Sequence, residues 1–381
     1  MAKIIIEGWR FLPHSFATVN QFQCLEFLRR PHIQLYHRDA PYWNRNWQPV
    51  TGLLGAAEET ALREIPSPPR NENGDVTFRC GCPFDFSSSS SRRTVTFATC
   101  EFGRLSPDAV AAGSTEANLA DPDITIVTPS NWSRDGLIRS GLNPDSIKIV
   151  PHGVDSAIFH PPDQRERTAL RQKFGWEGSF IFLHISAMTP NKGIPDILRS
   201  LYEVAQNAPG ARLVLKGLDS LYASTSALNE SLKKLPAHIL PAIRSRVAYT
   251  SGDSSYEDIA NLYKAADAYV APYLGEGFNL PVLEAAACGL PVICTGGGAT
   301  DDFTTSDFRL AIHSKLQITG DANNPKMVYL QPDQKHLTSL MRQIIEDASW
   351  RHNARSAGPD HVHEHFTWKC AVDKLEAELL A

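Results

Sequence analysis

The sequence predicts an α/β protein made of two successive parallel-sheet units, and three observations carry that expectation. Short apolar runs alternate with longer amphipathic stretches along most of the chain. The alternation stops once, across the turn Pro151-His152-Gly153-Val154-Asp155 and the stiff stretch His160-Pro161-Pro162-Asp163, and then restarts. Between Ile124 and Val150 a strand, a helix and a strand fit within about thirty residues, the size of a βαβ unit, which pairs its strands in parallel.

Taken in order, strands are expected at Lys3–Ile6, Ile33–Tyr36, Val76–Arg79, Thr94–Ala98, Ile124–Thr128 and Ile147–Val150. A helix over Ser15–Arg30 carries Phe16, Val19, Phe22 and Phe27 on related faces, and a second opens on Ser130 as N-cap and ends near Gly141. After the pause come strand Phe180–Ile185, helix Ile194–Ala205, strand Arg212–Leu215, a helical stretch Leu221–Ser245 and strand Val247–Thr250. Ser254-Ser255-Tyr256-Glu257 supplies a capping box for a helix to Ala266, followed by strand Ala268–Ala271, helix Leu280–Cys288 and strand Pro291–Cys294. Ser87–Ser91 with Arg92 and Arg93 reads as a mobile loop, and Ile65–Gly74 as a second loop. The expected domains are 1–160 and 161–365, with an amphipathic helix at about 366–381 returning to the first.

Composition narrows the function. At 381 residues and 42% hydrophobic, the chain can bury two or three cores and is not expected to be disordered. A net charge of −5 argues against a nucleic-acid partner held by bulk charge. No run approaches the roughly 18 apolar residues of a membrane span, and the apolar start Met1–Ile6 is too short for a signal peptide. Seven cysteines, an odd number spread over a long chain, point to a reducing, cytoplasmic compartment; peripheral contact with the inner membrane face stays open.

The chemistry concentrates in Pro272–Glu284, PYLGEGFNLPVLE. A strand ends, a loop with Gly275 and Gly277 allows close approach to the backbone, and a helix begins at Leu280-Pro281 with proline in its first turn. The helix N-terminus at the mouth of a parallel sheet is an anion site. Glu276 in the loop and Glu284 one turn into the helix make sense there if each accepts hydrogen bonds from hydroxyls.

Glu276 and Glu284, with seven residues between, resemble the E-x7-E motif of retaining GT-B glycosyltransferases, family 4 in particular. The surrounding run YKAADAYVAPYLGEGFNLPVLEAAACGLPVICTGGGATDDF is similar to that family's donor-binding core, Pro190-Asn191-Lys192-Gly193 to its phosphate-binding lysine loop, and Thr128–Ser133 with Pro151–Asp155 to the stretch before its second domain. The resemblance runs from about Asp121 to Phe303. It implies an α/β fold of GT-B architecture, two Rossmann-like domains facing a central cleft, and a metal-independent retaining hexosyltransferase. The implied partners are a nucleotide-sugar donor, UDP-glucose first and GDP-mannose next, and a saccharide or lipid-linked acceptor, in bacterial polysaccharide synthesis. No cofactor, metal or nucleic acid is implied.

The resemblance also implies roles. Glu284 holds the ribose, Lys192 neutralises the diphosphate with the amides of Asn279 and Leu280, and Val247, Tyr249 and Thr250 lie against the base. Glu276, Gly277, Phe278 and Asn279 line the donor-sugar pocket. Two departures stand out. Ala187 occupies the family's arginine position, for which Lys216 is the expected cationic substitute. The first-domain histidine has no match in Thr96–Glu101, with His14 the stand-in, though a turn or capping role suits His14 as well.

Other motifs carry plainer readings. In Asp360-His361-Val362-His363-Glu364-His365, helical spacing puts His361 and His365 on one face and His363 on another, so a solvated or helix-end cluster is expected rather than a metal site. Cys80-Gly81-Cys82 lacks a second pair to complete a zinc site, and His152 is assigned to the hinge turn. A sugar-nucleotide epimerase and a phosphorylase share the two-domain shape but lack their own signatures here. A catalytically silent nucleotide-sugar-binding protein is the alternative outside enzymes.

Overall fold

The computed structural model describes residues 1–70, 72–114, 124–321 and 324–381, the side chains of 321 and 324–326 excepted. One position of the expected 65–74 loop, residue 71, and the first positions of the family resemblance, 121–123, lie outside the described residues. The chain divides into one unit of Met1–Asp155 with Phe366–Ala381 and a second of Ser156–His365.

In the first unit, strands β1 (Ala2–Gly8), β2 (Ile33–Asp39), β3 (Val76–Cys80), β4 (Arg93–Phe97), β5 (Thr125–Thr128) and β6 (Ile147–Ile149) form a sheet in the order β2-β1-β3-β4-β5-β6. Each neighbouring pair is parallel. Helices α1 (Ser15–Leu28), α2 (Ala56–Glu64) and α3 (Asn131–Arg139) belong to this unit. Ser130 caps α3 as expected, accepting from the Ser133 amide. Helix α1 buries residues almost all round, Asn20, Gln21 and Glu26 included, which is why its apolar positions mark no single face. Two of its buried amides are satisfied, since Asn20 Nδ2 donates to the Trp9 carbonyl at 2.9 Å and Gln21 Oε1 accepts from the Phe11 amide at 2.7 Å, whereas the buried Gln23 Oε1 has no hydrogen-bond partner among the described residues.

Chain ends meet in this unit. The Val154 amide donates to the Phe366 carbonyl at 2.9 Å, and the Trp368 amide donates back to the Val154 carbonyl at 3.2 Å. A Cβ on Gly153 would lie 2.4 Å from the Thr367 carbonyl carbon, so this crossing tolerates only glycine. The last helix, Trp368–Leu380, then packs on α1, with Trp368 stacked on Phe22 at 5.4 Å and Arg30 paired to Asp373 at 2.6 Å. His152, in the turn assigned to the hinge, is buried between Phe97 and Trp368, and burial pushes its pKa down to about 3. The serine run is also tied down rather than loose. Ser89 bonds Thr94 through amide and hydroxyl, both at 2.8 Å, and the Ser91 and Thr77 hydroxyls meet at 2.7 Å.

The second unit has the strands β7 (Phe180–Ile185), β8 (Ala211–Lys216), β9 (Val247–Thr250), β10 (Ala268–Ala271), β11 (Val292–Thr295) and β12 (Arg309–Ile312). Their parallel order, β12-β11-β10-β7-β8-β9, is that of a doubly wound dinucleotide-binding fold. The order reverses between β7 and β10, so the carboxyl ends of these two strands form the switch point where such sheets bind ligands. The core joins Phe182, Leu213, Val270 and Ile293 of the sheet to Ile197, Leu201, Met341 and Ile344 of covering helices.

The helices here are α4 (Gln164–Phe174), α5 (Ile194–Ala205), α6 (Asp219–Tyr222), α7 (Ser224–Lys233), α8 (Ile239–Ile243), α9 (Tyr256–Ala265), α10 (Leu280–Ala287), α11 (Gln334–Glu346) and α12 (Ala348–His365), which makes Trp368–Leu380 α13. The expected linker at 160–163 leads straight into α4, whose Asp163 N-cap accepts from the Glu166 amide at 2.7 Å. The helical stretch expected over 221–245 breaks into pieces where Ala223 turns left-handed at φ 48° and where Pro236 interrupts. Ser255 rather than Ser254 caps α9, accepting from the Asp258 amide at 3.1 Å. An antiparallel hairpin, β13 (Ser314–Asp321) with β14 (Asn324–Pro332), was not foreseen. On α12, His361 and His365 are neighbours at 5.2 Å while His363 turns to the Phe159 carbonyl at 2.9 Å. Among the described residues, no group of three or more His, Cys, Asp or Glu could hold a metal, and no helix is long and apolar enough to cross a membrane. None of the seven cysteines is in a disulfide.

Candidate functional site

At the switch point two loops are knitted together. After β7, residues Pro190–Lys192 form one 3-10 turn that ends at Gly193 with φ 71°. A Cβ on Gly193 would lie 2.1 Å from the Pro272 carbonyl oxygen, so the loop after β7 touches the loop after β10 backbone to backbone. The Leu274 amide donates to the Asn191 carbonyl at 2.8 Å, and Asn191 Nδ2 donates to the Gly275 carbonyl at 3.1 Å. The Leu330 amide of β14 reaches the Leu274 carbonyl at 2.7 Å, so the hairpin also braces this loop.

This clamp sets Lys192 beside Glu276, with Nζ donating to Oε1 at 2.7 Å and both side chains nearly buried. The sequence had given these residues separate tasks; the fold makes them one ion pair. Gly277 and Phe278 follow, with Phe278 packed on Phe303 at 4.6 Å between centroids. Asn279 then takes φ 81°, a left-handed turn that swings the chain into α10, and its side chain makes no cap bond to the helix. No side chain therefore caps α10; Pro281 contributes no amide, and the Val282 amide donates to the Asn279 carbonyl at 3.1 Å, which leaves the Leu280 amide to face the loop.

Glu284 lies one turn into α10. Its Oε2 accepts from the Tyr263 hydroxyl at 3.0 Å, and Tyr263 is wholly buried on α9. Burial raises the Glu284 pKa to about 7, while the Tyr263 hydrogen bond works in the opposite direction. Tyr263 was missed in the sequence, because 21 positions separate it from Glu284 and no local pattern links them. Tyr273 is the other omission: its hydroxyl meets Thr300 Oγ1 at 2.8 Å and its carbonyl accepts from Thr295 Oγ1 at 2.8 Å, fixing the end of β10.

Lys216 ends β8 and is almost entirely buried. Its ammonium donates to the Gly217 carbonyl at 2.7 Å and the Gly252 carbonyl at 2.5 Å, and burial lowers its pKa. Beside it, β9 forms the sheet edge with Val247 and Tyr249 half-buried and Thr250 exposed. The Tyr249 hydroxyl lies 3.3 Å from Thr225 Oγ1. At Ala187, where an arginine was expected from the family, the carbonyl accepts from the Ser224 hydroxyl at 3.0 Å.

His14 belongs to the first unit and caps α1 there, its Nδ1 accepting from the Phe16 amide at 3.1 Å. Its ring stands edge-on to Trp9 at 5.0 Å and against Trp47 at 5.4 Å. Burial pushes its pKa to about 4, so the imidazole is neutral at pH 7.

An ion-paired lysine, a buried carboxylate and a helix N-terminus gather at the switch point of a doubly wound sheet, the place where α/β proteins of this class bind their ligands. The family model for glycosyl transferases group 1 matches residues 166–361, just over half of the chain, and the protein belongs to that family. It is 27% identical over 239 residues to the GDP-mannose-dependent monoacylated alpha-(1-6)-phosphatidylinositol monomannoside mannosyltransferase of Corynebacterium glutamicum, covering 60% of this chain and 55% of the relative. With the D-inositol 3-phosphate glycosyltransferase of Corynebacterium aurimucosum it is 24% identical over 277 residues, 71% of this chain and 60% of the relative. The chain thus spans little more than half the length of these curated relatives. Among solved structures, HepE of Anabaena in complex with UDP and glucose superposes with a TM-score of 0.69 at 16% identity, over 100% of this chain and 99% of the other. The fold is GT-B, with two parallel six-stranded sheets.

Proposed function

We propose that this protein is a retaining hexosyltransferase of glycosyltransferase family 4. It moves a hexose from a nucleotide diphosphate sugar to a hydroxyl of a saccharide or lipid-linked acceptor. The observation that carries the reading is the Lys192–Glu276 pair, held at the switch point beside the first turn of α10. In the reaction the bond from the anomeric carbon to the diphosphate oxygen breaks, the acceptor oxygen bonds to the same face, and the acceptor proton passes to the departing phosphate. Lys192 and the α10 amides stabilise the charge that develops on the diphosphate, a role worth about a hundredfold or more in rate for a single donor. Glu276 and Phe278 orient the sugar, and Glu284 accepts from the ribose hydroxyls once ionised.

Lys216 is proposed as the second cation, because two of its three N–H bonds go to carbonyls and one remains for a phosphate. The base is assigned to the β9 edge at Val247, Tyr249 and Thr250. No residue set in this scheme calls for a metal or other cofactor. The donor is taken as UDP-glucose from the family resemblance; the named specificity of the C. glutamicum relative makes GDP-mannose the second reading. Both curated relatives are named for inositol-phosphate compounds, which favours a phosphate-bearing polyol or sugar as acceptor. The setting is cytoplasmic polysaccharide or glycolipid synthesis, with peripheral contact at the inner membrane face.

A thermal-shift and hydrolysis screen against UDP-, GDP- and ADP-sugars tests the proposal, repeated with Lys192→Ala and Glu284→Ala. Saturable stabilisation by one nucleotide with slow sugar release, lost in both variants, is expected. No nucleotide stabilisation would sink the reading. Binding without any sugar release would favour a silent binding protein, the second reading supported by Ala187 and by the use of His14 as a helix cap.

A further inference from the structure

The first unit holds a cavity of about 650 Å³ whose lining includes Arg10, Phe11, Asp39, Tyr42, Pro49 and Arg63. It lies beyond the carboxyl ends of β1 and β2, the edge at which parallel sheets bind ligands, and its volume suits a monosaccharide or a small oligosaccharide. Nothing in the donor site described above uses it.

Its charges are unevenly matched. Arg10 grips Asp39 as a fork, Nε and Nη2 each 2.8 Å from a carboxylate oxygen, and Nη1 donates to the Leu62 carbonyl. Asp39 is thereby neutralised. Arg63 is differently placed: its side chain is 48% exposed and its guanidinium carbon sits 4.1 Å from the Phe11 ring centroid. It forms a long ion pair with Glu59 at 4.0 Å, whose other carboxylate oxygen accepts from the Gly52 and Leu53 amides at 2.6 and 3.1 Å. Arg63 therefore keeps only a long ion pair with Glu59, and its half-exposed guanidinium lines the cavity with N–H groups to spare for a ligand.

The wall is built with strain. Phe11 holds φ 61°, a left-handed conformation that a bulky residue adopts only when its surroundings force it. Its amide is pinned by Gln21 and its carbonyl by the Val50 amide at 2.7 Å. The sixteen residues between β2 and α2 form no helix or strand, yet Trp9 anchors them. Trp9 Nε1 donates to the Pro41 carbonyl at 2.9 Å, and Trp9 packs on Tyr42 and Trp47 at 6.3 and 5.8 Å. Tyr42 in turn donates to the Arg10 carbonyl at 2.8 Å. Long irregular segments fixed in this way commonly serve binding. The half-buried Tyr42 ring adds an apolar face suited to the C–H face of a sugar.

We propose that this cavity binds the acceptor through an anionic group, a phosphate monoester or a carboxylate on a monosaccharide or polyol, with Arg63 as the recognising cation. The word acceptor rests on the glycosyltransferase reading; the anion site rests on the cavity itself. The test is calorimetry on the full chain with glucose 6-phosphate, myo-inositol 1-phosphate, glucuronate, and neutral glucose and inositol, repeated with Arg63→Ala. Because Arg63 is half exposed, that variant should fold, and an unchanged melting temperature would confirm it.

Saturable binding of the phosphorylated probes, at least tenfold tighter than the neutral ones and at least tenfold weaker in Arg63→Ala, is expected. The same pattern with glucuronate alone would support the site and identify its anion as a carboxylate. No preference for an anion, or a preference unchanged in Arg63→Ala, would overturn it. UDP-glucose and GDP-mannose titrated in parallel keep the two readings apart. Donor binding without anion binding removes only this site, and anion binding without donor binding removes only the transferase reading.

Discussion

Lys192 and Glu276 stand 84 positions apart in the chain and meet as an ion pair at 2.7 Å, each side chain almost closed off from water. The pair explains how the loop proposed to receive a diphosphate is held in place on its own. Each charge satisfies the other until a ligand with its own phosphates and hydroxyls takes over both partners. Removing one partner should leave the other poorly solvated.

Lys192→Ala and Glu276→Ala should each cost about 1–3 kcal/mol of stability, read by urea denaturation, because each takes the ion-pair partner from a nearly buried charge. The double variant should cost clearly less than the sum of the two. Strict additivity would mean that the pair contributes nothing in solution.

Glu284 sets a pH dependence. Its folded pKa of about 7 lies above its ordinary 4.5, so between those values the folded state keeps a proton that the unfolded chain has lost. The stability this confers is full below about pH 4.5 and is lost as pH rises to about 7. Glu284→Gln should therefore be more stable than the parent at pH 8, by about 1–3 kcal/mol, and nearly equal to it at pH 4. Donor affinity in the parent should rise with pH through 7, since ribose hydroxyls donate to the ionised carboxylate. Melting curves and donor titrations at several pH values check both, and flat profiles would contradict them.

Tyr263→Phe removes the hydroxyl that favours the ionised form of Glu284. The Glu284 pKa should rise further and donor affinity at pH 7 should fall about tenfold, a hydrogen bond to a charged group being worth about 1.5–3 kcal/mol. At pH 9 the gap should narrow, and calorimetry at the two pH values reads the difference. A pH-independent loss would point to packing instead.

Gly193→Ala should be among the most damaging single-methyl changes in the second unit. The added carbon would sit 2.1 Å from the Pro272 carbonyl oxygen on a residue already at φ 71°. We expect a loss of about 2 kcal/mol or more and the disappearance of donor-induced stabilisation, because the lysine loop would lift from Glu276. A variant with parental melting and parental donor response would refute the account of the clamp.

The alternating strands were legible because buried parallel strands read as apolar runs, and their observed ends differ from expectation by a few residues. Ala56–Glu64 was silent because α2 buries only Leu62 and shows no apolar stripe. In 221–245, Pro236 was visible, yet the left-handed Ala223 that also breaks the stretch has no signature in its side chain. At the site, Glu276, Glu284 and Lys192 were found by motif, whereas their partnerships were not. The 84-residue and 21-residue separations close only through sheet topology, which the linear pattern does not encode. The Arg10–Asp39 fork across 29 positions was hidden for the same reason.

The meeting of Val154 with Phe366 and Trp368 makes the protein modular in a way that genetic surgery can exploit. The chain leaves the first unit and re-enters it at adjacent backbone positions, so the second unit is, in effect, a cassette inserted into one strand-like crossing. Deleting 156–365 and joining Asp155 to Phe366 through a few glycines should leave a self-sufficient remnant with α13 still seated on α1. Exchanging the cassette for that of another group 1 member would then pair this protein's Arg63 cavity with a foreign second unit.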